Sequence, residues 1–274
     1  LRRMAPGEEK ETACILFTSG SEGVPKGVPL SHENIITNVY QGLSRVDVTR
    51  EDRFLNVLPV FHSFGLTVGT IIPLFAGARI FFHVSPLHYR VVPELSYAHE
   101  CTILLATNTF LAGYARRAHP YDFHSLRYIF CGGEALSDGV FDHYAKTFGI
   151  RVMSGYGATE CSPIISMNSA VQHEYGTVGT LLPGMESRLV TAEGIDDKGG
   201  TVGRLFVRGR NVMQGYLKND EANYKYLVED GGWYDTGDIV ELTDEGFLKI
   251  VGRLKRFAKV SGEMISLTAV EETL

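Results

Sequence analysis

The sequence T-S-G-S-E-G-V-P-K-G at residues 18–27 directly follows the apolar run A-C-I-L-F at residues 13–17. It combines three glycines and three hydroxyls with one lysine, Lys26, ahead of a helix that we expect to begin at Ser31. Glycines let backbone N–H groups converge without Cβ clashes, and hydroxyl and ammonium groups add further donors for an anion. A strand, such a loop and a helix start therefore predict a phosphate-binding loop. The alternative is a flexible Gly/Ser loop that holds no ligand.

The loop differs from two common nucleotide-binding motifs. It is not a Walker A loop, because Lys26 is followed by Gly27 and Val28 rather than by Ser or Thr. It is not G-x-G-x-x-G either. Glu22 is an acid inside the loop, and it should repel phosphate unless it faces a cation or solvent.

Three later segments complete an ordered set of motifs. They are Y-G-A-T-E at 156–160, W-Y-D-T-G-D at 233–238 and G-R-L-K-R-F-A-K at 252–259. With the loop, they resemble the adenylate-forming (AMP-binding) synthetases over nearly the whole chain.

Four further segments carry a closer resemblance. It is to the acyl-acyl-carrier-protein synthetase half of the bifunctional 2-acylglycerophosphoethanolamine acyltransferases of bacterial lipid salvage. These segments are P-V-F-H-S-F-G-L-T-V-G (59–69), S-P-L-H-Y-R (85–90), P-Y-D-F (120–123) and K-R-F-A-K-V-S-G-E-M-I-S-L (255–267). In that branch, an acid such as Glu22 is usual where most of the superfamily has threonine.

The resemblance implies a two-step ligase. A fatty acid and ATP would give an acyl-adenylate and pyrophosphate, and the acyl group would then pass to the phosphopantetheine thiol of acyl carrier protein, or of coenzyme A. The substrate carboxylate is the nucleophile, so the protein has to position two anions and neutralise developing charge. The contrary hypothesis is a nucleotide-binding module without catalysis.

The resemblance also implies roles for residues around the phosphates. Lys26 would follow the leaving pyrophosphate, Thr159 would contact a phosphate oxygen, and Glu160 would ligate Mg²⁺, which prefers hard oxygen ligands. The loop residues expected to hold the β- and γ-phosphates are Thr18, Ser19, Gly20, Ser21, Gly23 and Lys26.

The same resemblance implies residues around the nucleoside. Asp238 would accept hydrogen bonds from both ribose hydroxyls, and Arg253 would reach the same ribose unless it is a surface arginine. Residues expected near the adenine are Gly155, Tyr156 and Gly157. The segment Gly132, Gly133 and Glu134 is expected to line the same pocket, although a plain turn is an equal alternative.

His62 has two interpretations. By resemblance it would gate an acyl tunnel, with Phe61, Phe64 and Gly65 around it. The alternative is a structural histidine that caps the following helix. None of the other histidines has the spacing of a metal site.

Composition limits the functional class. The 274 residues carry a net charge of −6, with 44% hydrophobic and 21% charged residues, which is typical of a globular protein and disfavours general nucleic-acid binding. Four widely spaced cysteines indicate reduced thiols and a cytoplasmic location. No stretch of the sequence is long and apolar enough to span a bilayer, although the resemblance allows the complete protein to sit at the cytoplasmic face of the bacterial inner membrane.

The pattern of elements predicts an α/β fold. Short apolar strands alternate with helices as far as about residue 165, which indicates a parallel sheet covered on both faces. Beyond about residue 178, glycines and short alternating segments indicate a β-rich, barrel-like subdomain. The expected boundaries are 1–178 for the nucleotide- and acyl-binding subdomain, 179–252 for the β-rich subdomain and 253–274 for a hinge and the start of a truncated C-terminal domain. Expected strands are 13–18, 54–58, 78–82, 102–106, 127–131 and 151–155, and expected helices are 31–45, 64–76, 89–99, 107–118 and 137–148.

The ends of the chain suggest a fragment. Residues 270–274 look like a helix without a stop signal, and the resemblance implies a segment before the loop and a C-terminal domain after the hinge. A lysine of that domain would bridge the carboxylate and the α-phosphate, so the chain alone is expected to bind nucleotide but to form acyl-adenylate poorly.

A basic stretch follows residue 248. Its members are Lys249, Arg253, Lys255, Arg256 and Lys259. Since carrier proteins are acidic, this stretch could be a docking face, and a solvated hinge is the alternative.

Overall fold

The strands on either side of the predicted phosphate loop pair with each other. The computed structural model describes residues 8–18, 25–228, 232–253, 257–260 and 263–266. Strand β1 (Thr12–Thr18) pairs antiparallel with β2 (Lys26–Ser31), and Thr18 lies opposite Lys26 at the open end of the pair. This corrects two expectations, since β1 is not part of the parallel sheet and a strand separates the loop from the helix. Val28 and Leu30 of β2 are fully buried, and burial of this alternating face favours the second strand.

The expected helix start is confirmed. Helix α1 (His32–Leu43) has Ser31 as its N-cap, with a reciprocal capping box between Ser31 and Asn34. The β2 strand therefore ends directly at the helix cap.

The central sheet is mixed and has seven strands. Its order is β4-β3-β5-β6-β7-β8-β9, parallel from β4 to β7 and antiparallel beyond. The two antiparallel strands at one edge, β8 and β9, are absent from the sequence prediction. The strands are β3 (Arg53–Asn56), β4 (Arg79–Phe82), β5 (Ile103–Ala106), β6 (Tyr128–Cys131), β7 (Val152–Gly157), β8 (Ile164–Met167) and β9 (Thr180–Leu181).

Helices connect the parallel strands at the expected positions. A π-helical segment (Phe64–Ile71) continues into α2, and another (Tyr144–Phe148) follows α5. The helices are α2 (Ile72–Ala76), α3 (Val91–Ala98), α4 (Asn108–Ala115) and α5 (Asp138–His143).

A buried carboxylate ties the amino ends of three parallel strands. Asp52, which is 1% exposed, accepts hydrogen bonds from Thr102 Oγ1 at 2.6 Å and from Arg127 Nη1 at 2.8 Å. These three residues directly precede β3, β5 and β6, so a buried ion pair holds the amino ends of these three strands together. At the carboxyl ends of the parallel strands lie two predicted site segments, residues 132–134 after β6 and residues 155–160 at the end of β7.

The second half of the chain forms a curled antiparallel sheet. Its order is β10-β11-β13-β12, with β14 paired to β13, and a short helix α6 (Asp220–Tyr226) lies beside it. The strands are β10 (Glu186–Val190), β11 (Val202–Arg208), β12 (Leu227–Val228), β13 (Trp233–Leu242) and β14 (Leu248–Arg253). Short 3₁₀ turns cover Thr159–Cys161 and Lys198–Gly200. Two further strands, β15 (Phe257–Val260) and β16 (Glu263–Ser266), pair with each other, and the expected helix at 270–274 lies outside the described residues.

The described residues form two large hydrophobic cores. One core surrounds the parallel strands and contains Leu104, Ile129 and Tyr144. The other joins Val28 of β2 and Val39 of α1 to the curled sheet. The expected boundary at residue 178 stays a prediction.

The described part of the chain contains no helix that could cross a bilayer. Its four cysteines are free thiols, and three of them are buried.

Candidate active site

A tyrosine, an aspartate and an arginine from three strands meet between the two sheets. The Tyr156 hydroxyl of β7 donates to Asp238 Oδ2 of β13 at 2.5 Å, and Arg253 Nε of β14 lies 3.1 Å from Asp238 Oδ1. The Asp238 side chain is 6% exposed and that of Arg253 is 72% exposed, so the carboxylate points inward while the guanidinium covers it from the solvent side. Burial raises the pKa of Asp238, and Arg253 and the Tyr156 hydroxyl oppose that shift.

The segment around Asp238 is held by its neighbour Asp235. Asp235 is buried, forms an ion pair with Arg204, and accepts the Gly237 N–H at 2.9 Å. Gly237 has φ +72°, a conformation that favours glycine and turns Asp238 toward Tyr156. The two aspartates of W-Y-D-T-G-D therefore differ in environment: Asp235 is committed to a structural ion pair, whereas Asp238 lies in the site.

Glu160 lies at the end of the Y-G-A-T-E segment and is buried. Its Oε1 accepts the Tyr216 hydroxyl at 2.8 Å. Thr159 Oγ1 lies 3.3 Å from Ser63 Oγ, which joins this segment to the P-V-F-H-S-F-G segment. Two motifs that are far apart in sequence thus share one polar contact.

The Lys26 ammonium lies over two aromatic rings. Its Nζ is 4.0 Å from the Tyr226 ring centroid and 5.1 Å from the Tyr216 ring centroid. Tyr216 also donates to Glu160. Lys26 therefore contacts the ring of Tyr216, and Glu160 contacts its hydroxyl. Within the described ranges, no carboxylate pairs with Lys26.

Several glycines allow close approach at the carboxyl edge of the parallel sheet. A Cβ on Gly132 would lie 3.2 Å from Phe64 Cε1, and one on Gly157 would lie 2.2 Å from the Pro163 carbonyl oxygen. Gly133 has φ +81°, and Gly155 lies against β8. Glu134 caps helix α4, since its Oε2 accepts the Thr109 N–H at 2.8 Å.

His62 makes a helix-capping contact. Its Nδ1 accepts the Phe64 N–H at 3.3 Å, and its carbonyl accepts the Leu66 N–H at 2.9 Å. Desolvation of the ring lowers the pKa of His62, which favours the neutral imidazole that can accept this bond. The geometry agrees with the capping interpretation and leaves the gate as a prediction.

The structure brings several of the predicted residues that it describes into two groups. Tyr156, Asp238 and Arg253 form one group, and Lys26 and Glu160 form another through Tyr216. Thr18 lies at the hairpin end opposite Lys26. Ser19, Gly20, Ser21, Glu22 and Gly23 lie outside the described residues, as do the side chains of Lys255, Arg256 and Lys259.

Sequence reasoning missed Tyr216, Tyr226 and Ser63. A signal for the tyrosines was present, because four tyrosines fall between residues 216 and 234 in a segment otherwise interpreted only as β-rich. Their partners are distant in sequence, so the spacing alone could not pair them with Lys26 or Glu160.

The donor set around Glu160 fits a Mg²⁺ ion that phosphates help to hold. No group of three or more acidic, histidine or cysteine side chains able to hold a metal occurs in the described part of the chain. Mg²⁺ is commonly held by one or two carboxylates, with phosphates and water completing its shell. One buried carboxylate beside a phosphate loop matches that arrangement.

Comparison with known proteins places these features in a family. The chain is 32% identical to the medium-chain fatty-acid–CoA ligase of Escherichia coli (strain K12) over 272 residues, which cover 96% of the chain and 47% of that ligase. It is 31% identical to the long-chain-fatty-acid–CoA ligase of Haemophilus influenzae, over 97% of the chain and 48% of that ligase. The chain spans about half the length of these relatives.

A solved structure has the same fold. The O-succinylbenzoate coenzyme A synthetase of Bacillus subtilis, in complex with ATP and magnesium ion, superposes with a TM-score of 0.84 at 27% identity. The superposition covers 97% of this chain and 55% of that enzyme. The adenylating-enzyme fold expected from the sequence is confirmed. The family described as AMP-binding enzyme matches residues 2–217. The chain therefore belongs to the AMP-binding enzyme family.

Proposed function

We propose that this chain is the catalytic core of an ATP-dependent acyl-activating ligase for fatty acids. The observation that carries the proposal is that β7 and the turn directly after it hold two polar groups. Tyr156 binds the buried carboxylate of Asp238, and the second carboxylate, Glu160, is linked through Tyr216 to Lys26. The first group suits a ribose and the second suits phosphates. The fatty-acid ligases among the relatives support a fatty acid as the substrate that is activated.

Each residue has a role that follows from its chemistry. Asp238 accepts two ribose hydroxyls, since an ionised carboxylate is an acceptor with two oxygens. Thr159 and the loop donate to phosphate oxygens, and Lys26 neutralises the charge that grows on the departing pyrophosphate. Glu160 would hold Mg²⁺, which supplies further neutralisation of phosphate charge when bound. Gly155 and Gly157 let the backbone approach the base.

Acyl carrier protein is the acceptor that we propose first. The closer motif resemblance favours it, and a carrier protein would suit the exposed basic side chains of Lys249 and Arg253. Coenzyme A is the second acceptor, supported by the names of the relatives. We place the activity in the cytoplasm, in phospholipid salvage, with the complete protein at the inner face of the membrane.

ATP–pyrophosphate exchange with a long-chain fatty acid tests the proposal in the complete protein. Wild type should exchange, whereas Glu160→Gln, which keeps the shape and removes the charge, should lose activity by about 10²-fold or more and require more Mg²⁺. The exposed variant Glu94→Gln is the control and should behave as wild type. Nucleotide binding without exchange would favour the binding-module hypothesis, and a Glu160→Gln enzyme with wild-type Mg²⁺ dependence would exclude Glu160 as a ligand.

The acceptor is measured separately. Fatty acid, ATP and either holo acyl carrier protein or coenzyme A are supplied, and thioester formation is followed. Faster transfer to the carrier protein supports the first choice, and transfer to coenzyme A alone supports the second.

A further inference from the structure

A five-residue segment ties the phosphate loop to the Glu160 turn. Residues 213–217 are here named the strap. The Met213 N–H donates to the Glu160 carbonyl at 2.8 Å, and the Leu217 N–H donates to the Gly27 carbonyl at 2.9 Å. The strap therefore sets the distance between the start of β2 and the 3₁₀ turn that carries Glu160.

One side chain of the strap contacts both functional groups. Tyr216 is 5% exposed, its hydroxyl donates to Glu160 Oε1 at 2.8 Å, and the Lys26 ammonium lies 5.1 Å from its ring centroid. Tyr234, which is 5% exposed, lies in the same region, and burial, followed by the nearby Glu160 and Tyr216, raises the pKa of its hydroxyl.

The backbone of Tyr216 is fixed by helix α6. Asn223 Oδ1 accepts the Tyr216 N–H at 2.6 Å, and Asn223 Nδ2 donates to the Tyr216 carbonyl at 3.3 Å. A Cβ on Gly215 would lie 3.1 Å from Asn223 Oδ1, so the neighbouring position is restricted to a small residue. The same helix supplies Tyr226, whose ring lies 4.0 Å from Lys26 Nζ.

A neutral tyrosine suits a position between a cation and an anion. Its hydroxyl holds the carboxylate by one oxygen and leaves the other for a cation, while its ring face attracts the ammonium without neutralising it. An acid at this position would pair with Lys26, and a base would pair with Glu160. Either ion pair would weaken the contact that Lys26 or Glu160 makes with the nucleotide and its Mg²⁺ ion.

We propose that Tyr216 is a positioning residue that holds Glu160 and Lys26 in register for the Mg²⁺-bound triphosphate. The proposal rests on the proposed function, because it assigns the task of Tyr216 within that site. Tyr216 acts through its two neighbours, and its hydroxyl and its ring have separable effects.

The test uses ATP–pyrophosphate exchange in the complete protein, with Mg²⁺ and ATP varied independently. Tyr216→Phe removes the hydroxyl and keeps the ring, so the Mg²⁺ concentration for half-maximal rate should rise about tenfold. Tyr226→Leu removes the second ring, so kcat should fall several-fold with the Mg²⁺ dependence unchanged. Tyr224→Phe is the control, since Tyr224 is 90% exposed on the same helix.

Stability is measured beside activity by thermal unfolding. If Tyr216→Phe does not fold, Asn223→Ala is used, because it removes both hydrogen bonds to the Tyr216 backbone and should shift the Mg²⁺ dependence in the same direction by a smaller factor. A folded Tyr216→Phe or Asn223→Ala enzyme with wild-type Mg²⁺ dependence overturns the proposal. Absence of exchange in wild type is a different result, since it refutes the proposed function itself.

Discussion

At the residue scale, Asp238 illustrates that a buried charged side chain in a candidate site can lower the stability of the folded protein. It is a buried carboxylate whose charged form is disfavoured by desolvation, and its arginine partner is largely exposed. A purely structural position would be satisfied by a neutral side chain. Under the proposed function, the ribose would supply two hydroxyl donors to this charge.

Substitution of Asp238 by Asn should therefore leave the stability unchanged or raise it at neutral pH. The folded-state pKa of Asp238 is raised, so the penalty for the buried charge is fully present above that pKa and is absent below the ordinary aspartate pKa. The stability difference between Asp238→Asn and wild type should favour the variant at pH 7 and shrink as the pH falls through the raised pKa. Urea unfolding at a series of pH values measures it.

The control for this experiment is Asp244→Asn, at an exposed position. It should show no such pH dependence. A difference between Asp238→Asn and wild type that grows as the pH falls would contradict the raised pKa.

At the element scale, local signals explain which strands and helices could be predicted. The apolar runs at 102–106 and 127–131 correspond to β5 and β6, because strands buried on both faces are continuous in their apolar residues. Ser31 marks the cap of α1, since its side chain satisfies a local N–H.

Elements that depend on distant partners could not be predicted. Strand β2 contains Pro29 and follows Pro25, so its residues resemble a loop until the register with β1 is known. The role of Tyr216 could not be predicted for the same reason, because its partners Glu160 and Lys26 are distant from it in sequence. Asp238 and Glu160 were predicted as site residues from the motif resemblance, and local propensity would have predicted neither.

The turn between β7 and β8 gives a prediction at this scale. A methyl group on Gly157 would lie 2.2 Å from the Pro163 carbonyl oxygen, which is backbone and cannot rotate away. Gly157→Ala should destabilise the protein by about 1–3 kcal/mol or more. It should also weaken nucleotide binding, because the same turn carries Glu160.

Gly139 in helix α5 is the matched control. A Cβ there would meet nothing within 4 Å, so Gly139→Ala should be neutral or stabilising by up to about 1 kcal/mol. Chemical denaturation of both variants compares them. Equal stability of Gly157→Ala and wild type would show that the β7–β8 turn can relax.

At the scale of the whole molecule, the candidate site joins the two sheets. Tyr156 comes from the mixed sheet and Asp238 from the curled sheet, so the hydrogen bond between them crosses from one sheet to the other. The strap adds a second connection, from the β1–β2 hairpin to the Glu160 turn. A nucleotide bound here would contact both sheets, so its affinity would depend on how the two sheets are arranged.

Calorimetric titration of ATP with Mg²⁺ into the 274-residue chain tests this account most directly. We predict one binding site in wild type and an affinity about 10²- to 10⁴-fold lower in Asp238→Ala, since two hydrogen bonds to a charged group are lost at about 1.5–3 kcal/mol each. Asp244→Ala should bind as wild type does. Equal ATP affinity in wild type and a folded Asp238→Ala variant would contradict the assignment of this site to the nucleotide.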